Sequence, residues 1–179
     1  MSQTLLRGRT LTFLRWPDNT DDHAAYLYEE DGALLIDGGK IVAAGTHADV
    51  SAKASEGAQR IDHRPHLILP GFIDAHVHFP QMGVIASYGA ELLDWLNKYT
   101  FPEETKFQDA QHGRRIARLF LDEFIRQGTT TVAAYCSVHK SSAEAFLEES
   151  HARNMLNIAG KVMMDRNAPD GVLDTPQSG

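Results

Sequence analysis

The sequence of 179 residues has little of several things that define protein classes. It has one cysteine, Cys136, so no internal disulfide can form and a disulfide-stapled secreted scaffold is excluded. The flanking Val132-Ala-Ala-Tyr-Cys136-Ser-Val138 reads as an apolar strand, which predicts a buried, inert thiol rather than a nucleophile. No stretch approaches the roughly 20 apolar residues of a membrane-spanning helix. The first residues, Met1-Ser-Gln-Thr-Leu-Leu-Arg-Gly-Arg9, lack the uninterrupted apolar core of a signal peptide. A cytoplasmic location without a membrane partner is therefore expected. Positive charge is also scarce: 17 Lys plus Arg stand against 24 Asp plus Glu, a formal charge of −7. Such a balance gives no domain-wide positive field to gather phosphates, which argues against a nucleic-acid partner. The densest basic cluster, Arg114, Arg115 and Arg118, falls on a helical stretch and reads as a solvated face. There is no internal repeat or low-complexity tract.

What is present is an ordinary globular composition: with Gly counted in and Tyr out, about 47% of the residues are apolar. The length suits one domain or two small ones and is too short for a complete (β/α)₈ barrel, which needs about 250 residues. Two rhythms divide the chain. Up to about Pro70, short β-rich runs (Leu5 to Trp16, Ala24 to Tyr28, Ala33 to Asp37, Lys40 to Gly45) alternate with turn residues. Asp31-Gly32 and Gly38-Gly39 read as hairpin turns, and the segment as a small antiparallel sheet followed by a short helix or loop over Ala48 to Gly57. From Pro70 strands alternate with helical stretches. Leu67 to Phe79 is an apolar run broken by Pro70-Gly71, Thr129 to Val138 and Leu156 to Met164 read as strands, and Asp109 to Gln127 as a helix ending at Gly128. Ser141-Ser-Ala-Glu144 reads as a capping box opening the next helix. Alternation of this kind predicts parallel βα units, about three of them.

The sharpest local signal is Phe72-Ile-Asp74-Ala-His76-Val-His78-Phe79. On a strand Asp74, His76 and His78 share one face, and Ile73, Ala75, Val77 and Phe79 the other. Two imidazoles two residues apart at a strand's C-terminal end can both reach one divalent ion, so His76 and His78 are candidate metal ligands. Asp74 has two readings, orienting a ligand or fixing the turn before the site.

Pro70-Gly-Phe-Ile-Asp-Ala-His-Val-His78 resembles the first metal motif of the amidohydrolase superfamily, and the motifs downstream narrow the match. His78-Phe-Pro-Gln81, Tyr88-Gly89, Leu92-Leu-Asp-Trp-Leu96, Tyr99-Thr-Phe-Pro-Glu103, Gly128-Thr-Thr-Thr131 and Gly160-Lys-Val-Met-Met-Asp-Arg-Asn167 together resemble the guanine deaminase branch. The resemblance implies an α/β fold: a small β-sandwich, its first part in residues 1–69, beside a (β/α)₈ barrel whose first three or so units lie in 70–179, incomplete in this chain. It implies zinc-dependent hydrolysis of guanine to xanthine and ammonia in purine catabolism, with iron as an alternative metal. It implies His76 and His78 as metal ligands, His78, Phe79, Pro80 and Gln81 as the edge of the purine pocket, and a homodimer for a full-length member. No catalytic acid or base is expected within the chain. The family's further two histidines, general acid/base glutamate and metal-side aspartate are expected beyond Gly179, so the chain is read as an N-terminal portion, inactive by itself.

Gln81 suits guanine because an amide both donates and accepts. Phe79 has odd parity on the strand, so core packing competes with a place beside the base. Other residues carry paired readings: His139, pocket or loop; Lys161, a structural lysine rather than a carbamylated bridge; Asp165, Arg166 and Asn167, substrate contacts or a loop network. Trp95, Leu92, Leu93 and Leu96 read as core or subunit interface, and His23, His47, His63, His66, His112 and His151 as surface residues. Two other functions stay open: a sibling amidohydrolase acting on another aminated or halogenated heterocycle, which should not favour Tyr99-Thr-Phe-Pro-Glu103, and a non-catalytic product of a truncated gene.

Overall fold

The computed structural model describes residues 3–178, so Met1, Ser2 and Gly179, counted above at the ends of the two segments, lie outside the described residues. The chain forms two compact units, one up to Pro70 and one from Gly71.

In the first unit the strands β1 (Thr4–Phe13), β2 (Tyr26–Asp37), β3 (Lys40–Thr46) and β4 (Gln59–Ile68) form one sheet in the order β3-β2-β1-β4. Alternate residues of β2, Ala33 and Leu35, face the same way, and with Leu5 of β1 and Val50 of the short helix α1 (His47–Ser51) they make a small core. Thr46 caps α1, its hydroxyl accepting from the Asp49 amide at 3.2 Å. Gly38 and Gly39, with φ of 58° and 78°, close the β2–β3 hairpin as their sequence suggests, because a two-residue turn of this hand needs both residues left-handed.

Two expectations are corrected here. Asp31-Gly32 is no turn: β2 runs straight through it, and the pairing slips between Gly8 and Thr10, so the polar residues mark a bulge. There the Asp31 carboxylate accepts two hydrogen bonds of 2.7 Å from Arg7. Nor is the sheet wholly antiparallel, since β4 pairs parallel to β1. The polar run Gln59–Ile68 hides β4, an edge strand with mostly exposed side chains held by backbone pairing, where Pro65 sits in the gap between the Asp62 and Leu67 pairings.

The second unit carries three parallel strands, β5 (Phe72–His78), β6 (Thr129–Tyr135) and β7 (Ile158–Gly160), in that order. Between β5 and β6 the chain makes a 3₁₀ turn over Phe79–Val84, a helical stretch comprising α2 (Leu92–Trp95), a π-helical turn and α3 (Phe101–Thr105), and the long helix α4 (Ala110–Arg126). Asp109 caps α4 by accepting from the Gln111 amide at 2.9 Å. Helix α5 (Lys140–Ala152) joins β6 to β7. The core lies between sheet and helices: Phe79, Phe107, Ile116, Phe120, Leu121, Val132 and Phe146 are all buried together. Arg114 and Arg118 are not merely solvated; they pair with Glu148 at 3.2 Å and Glu149 at 2.7 Å, tying α4 to α5.

Three further readings change. The capping box at Ser141 does not form: His139 takes the N-cap position, Ser141 donates to the Phe107 carbonyl, and the Ser142 hydroxyl accepts from the Ser137 amide. Leu92 and Leu93 are exposed in this unit, which removes the core reading for them. The third strand is shorter than its apolar run, since beyond Gly160 the pairing with β6 stops.

Candidate metal and purine site

Strand β5 delivers His76 and His78 to its C-terminal end on one face, as the period of two requires. Two imidazoles sharing one tetrahedral zinc, each with a nitrogen about 2.0–2.1 Å from it, hold their ring centroids roughly 5.2 Å apart. The His76 and His78 centroids are 5.4 Å apart, so their spacing and donor chemistry fit such an ion. Among the described residues no cluster of three or more His, Cys, Asp or Glu side chains is arranged to hold a metal, so the pair is at most half of a four-coordinate site. Asp74 fixes the backbone locally: its carboxylate accepts from the His76 amide at 3.0 Å.

The strand pairing brings in a residue that the sequence reading passed over. His78 lies opposite Tyr135 across the β5–β6 ladder, and the Tyr135 ring stacks on His78 at 4.8 Å and 13° while also lying 5.1 Å from His76. Its signal was its position at the C-terminal end of the neighbouring parallel strand, which becomes visible only once the register is known. Burial, and after it the neighbouring His76, holds the His78 pKa below the usual histidine value. This favours the neutral imidazole that a metal requires.

Beyond His78 the chain turns through Phe79-Pro-Gln81. His76, His78, Gln81, Met82, Trp95 and Phe124 line a cleft of ≈ 430 Å³. The Trp95 indole donates to the Ser87 hydroxyl at 2.8 Å, which anchors one wall. Phe79 and Pro80 are not on this cleft. Phe79 is 0% exposed, with Phe107 edge-on at 5.3 Å and Phe146 at 5.0 Å, so the packing alternative for it is what the fold realises. Pro80 is buried beside it. Gln81 is thus the residue after His78 in that motif that reaches the cleft.

Behind the turn, α3 carries two buried carboxylates. The Glu103 carboxylate pairs with Lys106 at 2.5 Å and lies 3.7 Å from His112 Nε2. His112 is therefore no surface residue; it is largely buried against the edge of Phe107, 4.8 Å between ring centroids. The Glu104 carboxylate accepts from Gln81 Nε2 at 3.0 Å; burial raises its pKa and the bond from Gln81 opposes the rise.

The remaining candidates do not join this cluster. The His139 Nε2 is buried without a hydrogen-bond partner among the described residues, and burial lowers the pKa of the ring. Lys161 pairs with Asp174, which agrees with a structural role. Asp165 and Arg166 are exposed and pair with each other at 3.1 Å, and Asn167 takes a left-handed φ of 58° in the same loop. The Cys136 thiol is buried and its pKa is pushed up to about 12, the inert state expected.

Comparison with known proteins gives the chain's relatives. Residues 67–178 match the model of the amidohydrolase family. The guanine deaminase of Escherichia coli K12 is 41% identical over 174 residues, 97% of this chain and 40% of that protein. A solved structure of E. coli guanine deaminase superposes with a TM-score of 0.91 at 40% identity, over 98% of this chain and 41% of that one. Guanine deaminase from Bradyrhizobium japonicum superposes at 0.90 with 36% identity, over 99% of this chain and 38% of that one. Guanine deaminase from C. acetobutylicum with guanine bound in its active site gives 0.79 at 28% identity, over 97% of this chain and 39% of that one. The chain thus spans about two fifths of the length of the relatives it matches. A domain model covering more than half of the sequence, together with a relative 41% identical over nearly the whole chain, gives the conclusion that the chain belongs to the amidohydrolase family.

Proposed function

We propose that this chain supplies the first metal-ligand pair and the purine-facing turn of a zinc-dependent guanine deaminase, which hydrolyses guanine to xanthine and ammonia in the cytoplasm. The observation that carries the reading is the His76–His78 pair, spaced for one tetrahedral ion and opening on a cleft that also holds the Gln81 amide. The likeness to guanine deaminases over 97% of the chain supports it. We read the first unit as the start of a small β-sandwich, the second as the first three units of a (β/α)₈ barrel, and the full-length protein as a homodimer.

In this reading His76 and His78 hold the metal, and Tyr135 keeps their rings in place by stacking on His78 and packing at a tilt against His76. When bound, zinc supplies the Lewis acidity that activates water for attack on the aminated carbon of the base. Gln81 orients the base by donating to and accepting from its mixed edge. Phe79 and Pro80 act indirectly, anchoring in the core the turn that carries Gln81. The carboxylate that moves the proton to the leaving amine, and the remaining ligands, belong to later barrel strands that these residues do not include.

A chimaera tests the reading. Residues 3–178 replace the matching segment of the E. coli guanine deaminase, and product formation is followed by xanthine absorbance. Guanine turnover that His76→Ala or His78→Ala abolishes is the expected result. Preference for another aminated or halogenated heterocycle over guanine refutes it.

A further inference from the structure

The turn after the metal-ligand pair leans on an acidic element whose two carboxylates are not equivalent. Glu103 and Glu104 are adjacent on α3 and nearly buried, at 9% and 6% exposure. Glu103 has cationic company in Lys106 and a histidine in His112. Glu104 instead takes the Nε2 of Gln81 at 3.0 Å. We propose that Glu104 is a positioning residue that fixes which way round the Gln81 amide meets a ligand in the cleft, and so selects a base whose facing edge carries N–H donors.

An unconstrained glutamine presents either end of its amide, because the two orientations are nearly isosteric and the terminal torsion is soft. An ionised carboxylate only accepts, so Gln81 must turn its NH₂ group towards Glu104. The Oε1 atom and the second N–H are then the groups left for the cleft. Gln81 lines that cleft and Glu104 stands behind it, so Glu104 acts through its neighbour. The bond lies where water is largely excluded, which makes the wrong amide orientation, oxygen against oxygen, costly. Burial opposes the Glu104 charge and the Gln81 bond favours it, so the two side chains depend on each other.

The part that concerns specificity rests on the guanine reading above. Guanine offers an N1–H and a 2-amino group, both donors, to a fixed carbonyl oxygen. Adenine offers an unprotonated N1 on the corresponding edge, an acceptor facing an acceptor. A fixed amide should therefore separate the two purines by about tenfold, and a freely turning one by about twofold or less.

The experiment uses the 179-residue chain with Glu104→Leu and Glu104→Gln. The ¹⁵N-labelled side-chain amide of Gln81 is followed by NMR in that chain, and guanine and adenine binding by saturation transfer in the chimaera described above carrying the same variants. In the wild type one Gln81 amide proton should be shifted downfield and protected from solvent exchange. In Glu104→Leu both effects should vanish. In Glu104→Gln, whose carbonyl still accepts but without charge, the downfield shift should shrink and the protection persist. The tenfold guanine preference should be lost in the first variant and largely kept in the second. If Glu104→Leu does not fold, the isosteric Glu104→Gln decides. Gln81 signals that ignore every folded variant overturn the positioning role, whatever the purines do. Expected Gln81 signals in the wild-type chain, with a chimaera that binds neither purine, overturn the guanine reading and with it the selection.

Discussion

Phe79→Ala separates two roles that the sequence left in competition, packing and base stacking. The ring is 0% exposed and meets Phe107 edge-on at 5.3 Å, Phe146 at 5.0 Å and Phe120 at 6.0 Å. Deleting a buried phenylalanine costs about 3–5 kcal/mol, the lost transfer energy plus the cavity left behind. Aromatic pairs of this geometry are each worth about 0.5–1.5 kcal/mol beyond area, which places this site in the upper part of that range. Phe79→Leu keeps most of the volume and should cost about 1–1.5 kcal/mol. Urea unfolding of the 179-residue chain measures both. Trp95 in the second unit provides the fluorescence signal, in a background where the 88% exposed Trp16 of the first unit is replaced by Phe. A cost of 3–5 kcal/mol would consume much or all of a small unit's stability, so Phe79→Leu keeps the measurement possible if Phe79→Ala is unfolded in water. A loss below about 1 kcal/mol for Phe79→Ala, with an unchanged m-value, would refute the core assignment, because no fully enclosed ring is removed so cheaply.

Other expected outcomes concern the metal pair, protonation and the turn. The isolated chain should bind zinc weakly, measured by competition with a chromophoric chelator, and His76→Ala or His78→Ala should abolish that binding. Tyr135→Ala should weaken it several-fold and Tyr135→Phe leave it unchanged, because stacking needs the ring and not the hydroxyl. With guanine the isolated chain should release no ammonia; robust release would show that two histidines suffice. For pH, burial holds His78, His112 and His139 below the usual 6.5. The unfolded chain takes up these protons near 6.5 and the folded chain does not, so stability is full above 6.5 and falls as pH drops below it. Glu104, with its pKa raised, acts in the opposite sense, its contribution being full below 4.5 and lost as pH rises from there through its higher folded value. Urea midpoints across this range should fall on acidification below 6.5, and less steeply in His112→Gln; a flat profile would contradict the burial of these rings. Finally, a Cβ at Gly83 would lie 2.6 Å from Glu103 Oε1. Gly83→Ala must shift the turn or the salt-bridged carboxylate, at a cost of about 1–3 kcal/mol read from the same urea curves; an unchanged midpoint would show that Glu103 gives way freely.

Much of the second unit was legible because its signals are local. The helical spacing of Ile116, Leu119, Phe120 and Phe124 and the β-branched run from Thr129 correspond to α4 and β6 with small errors at their ends. The errors elsewhere share a cause. Asp31-Gly32 carries the chemistry of a turn, but Asp31 is held in a bulge by Arg7, distant in sequence. Gln59–Ile68 has no apolar period, and it is a strand because β1 offers it a ladder. His112 has no motif around it, and it is buried because Glu103 and Phe107 fold over it.

The candidate site divides along the same line. Sequence by itself determined the His76–His78 pair, since residues two apart on a strand share a face whatever surrounds them. It also predicted the buried thiol of Cys136, although β6 ends at Tyr135 and the cysteine follows it rather than lying in the strand. Only the tertiary structure decided that Tyr135 stacks on His78 and packs against His76, that Phe79 points into the core while Gln81 reaches the cleft, and that Glu104 stands behind the Gln81 amide. Those facts depend on strand register and on helix packing between residues tens of positions apart, which no local period encodes. The candidate ligands are written in the order of the chain, whereas the residues that hold them in position are set by which elements meet.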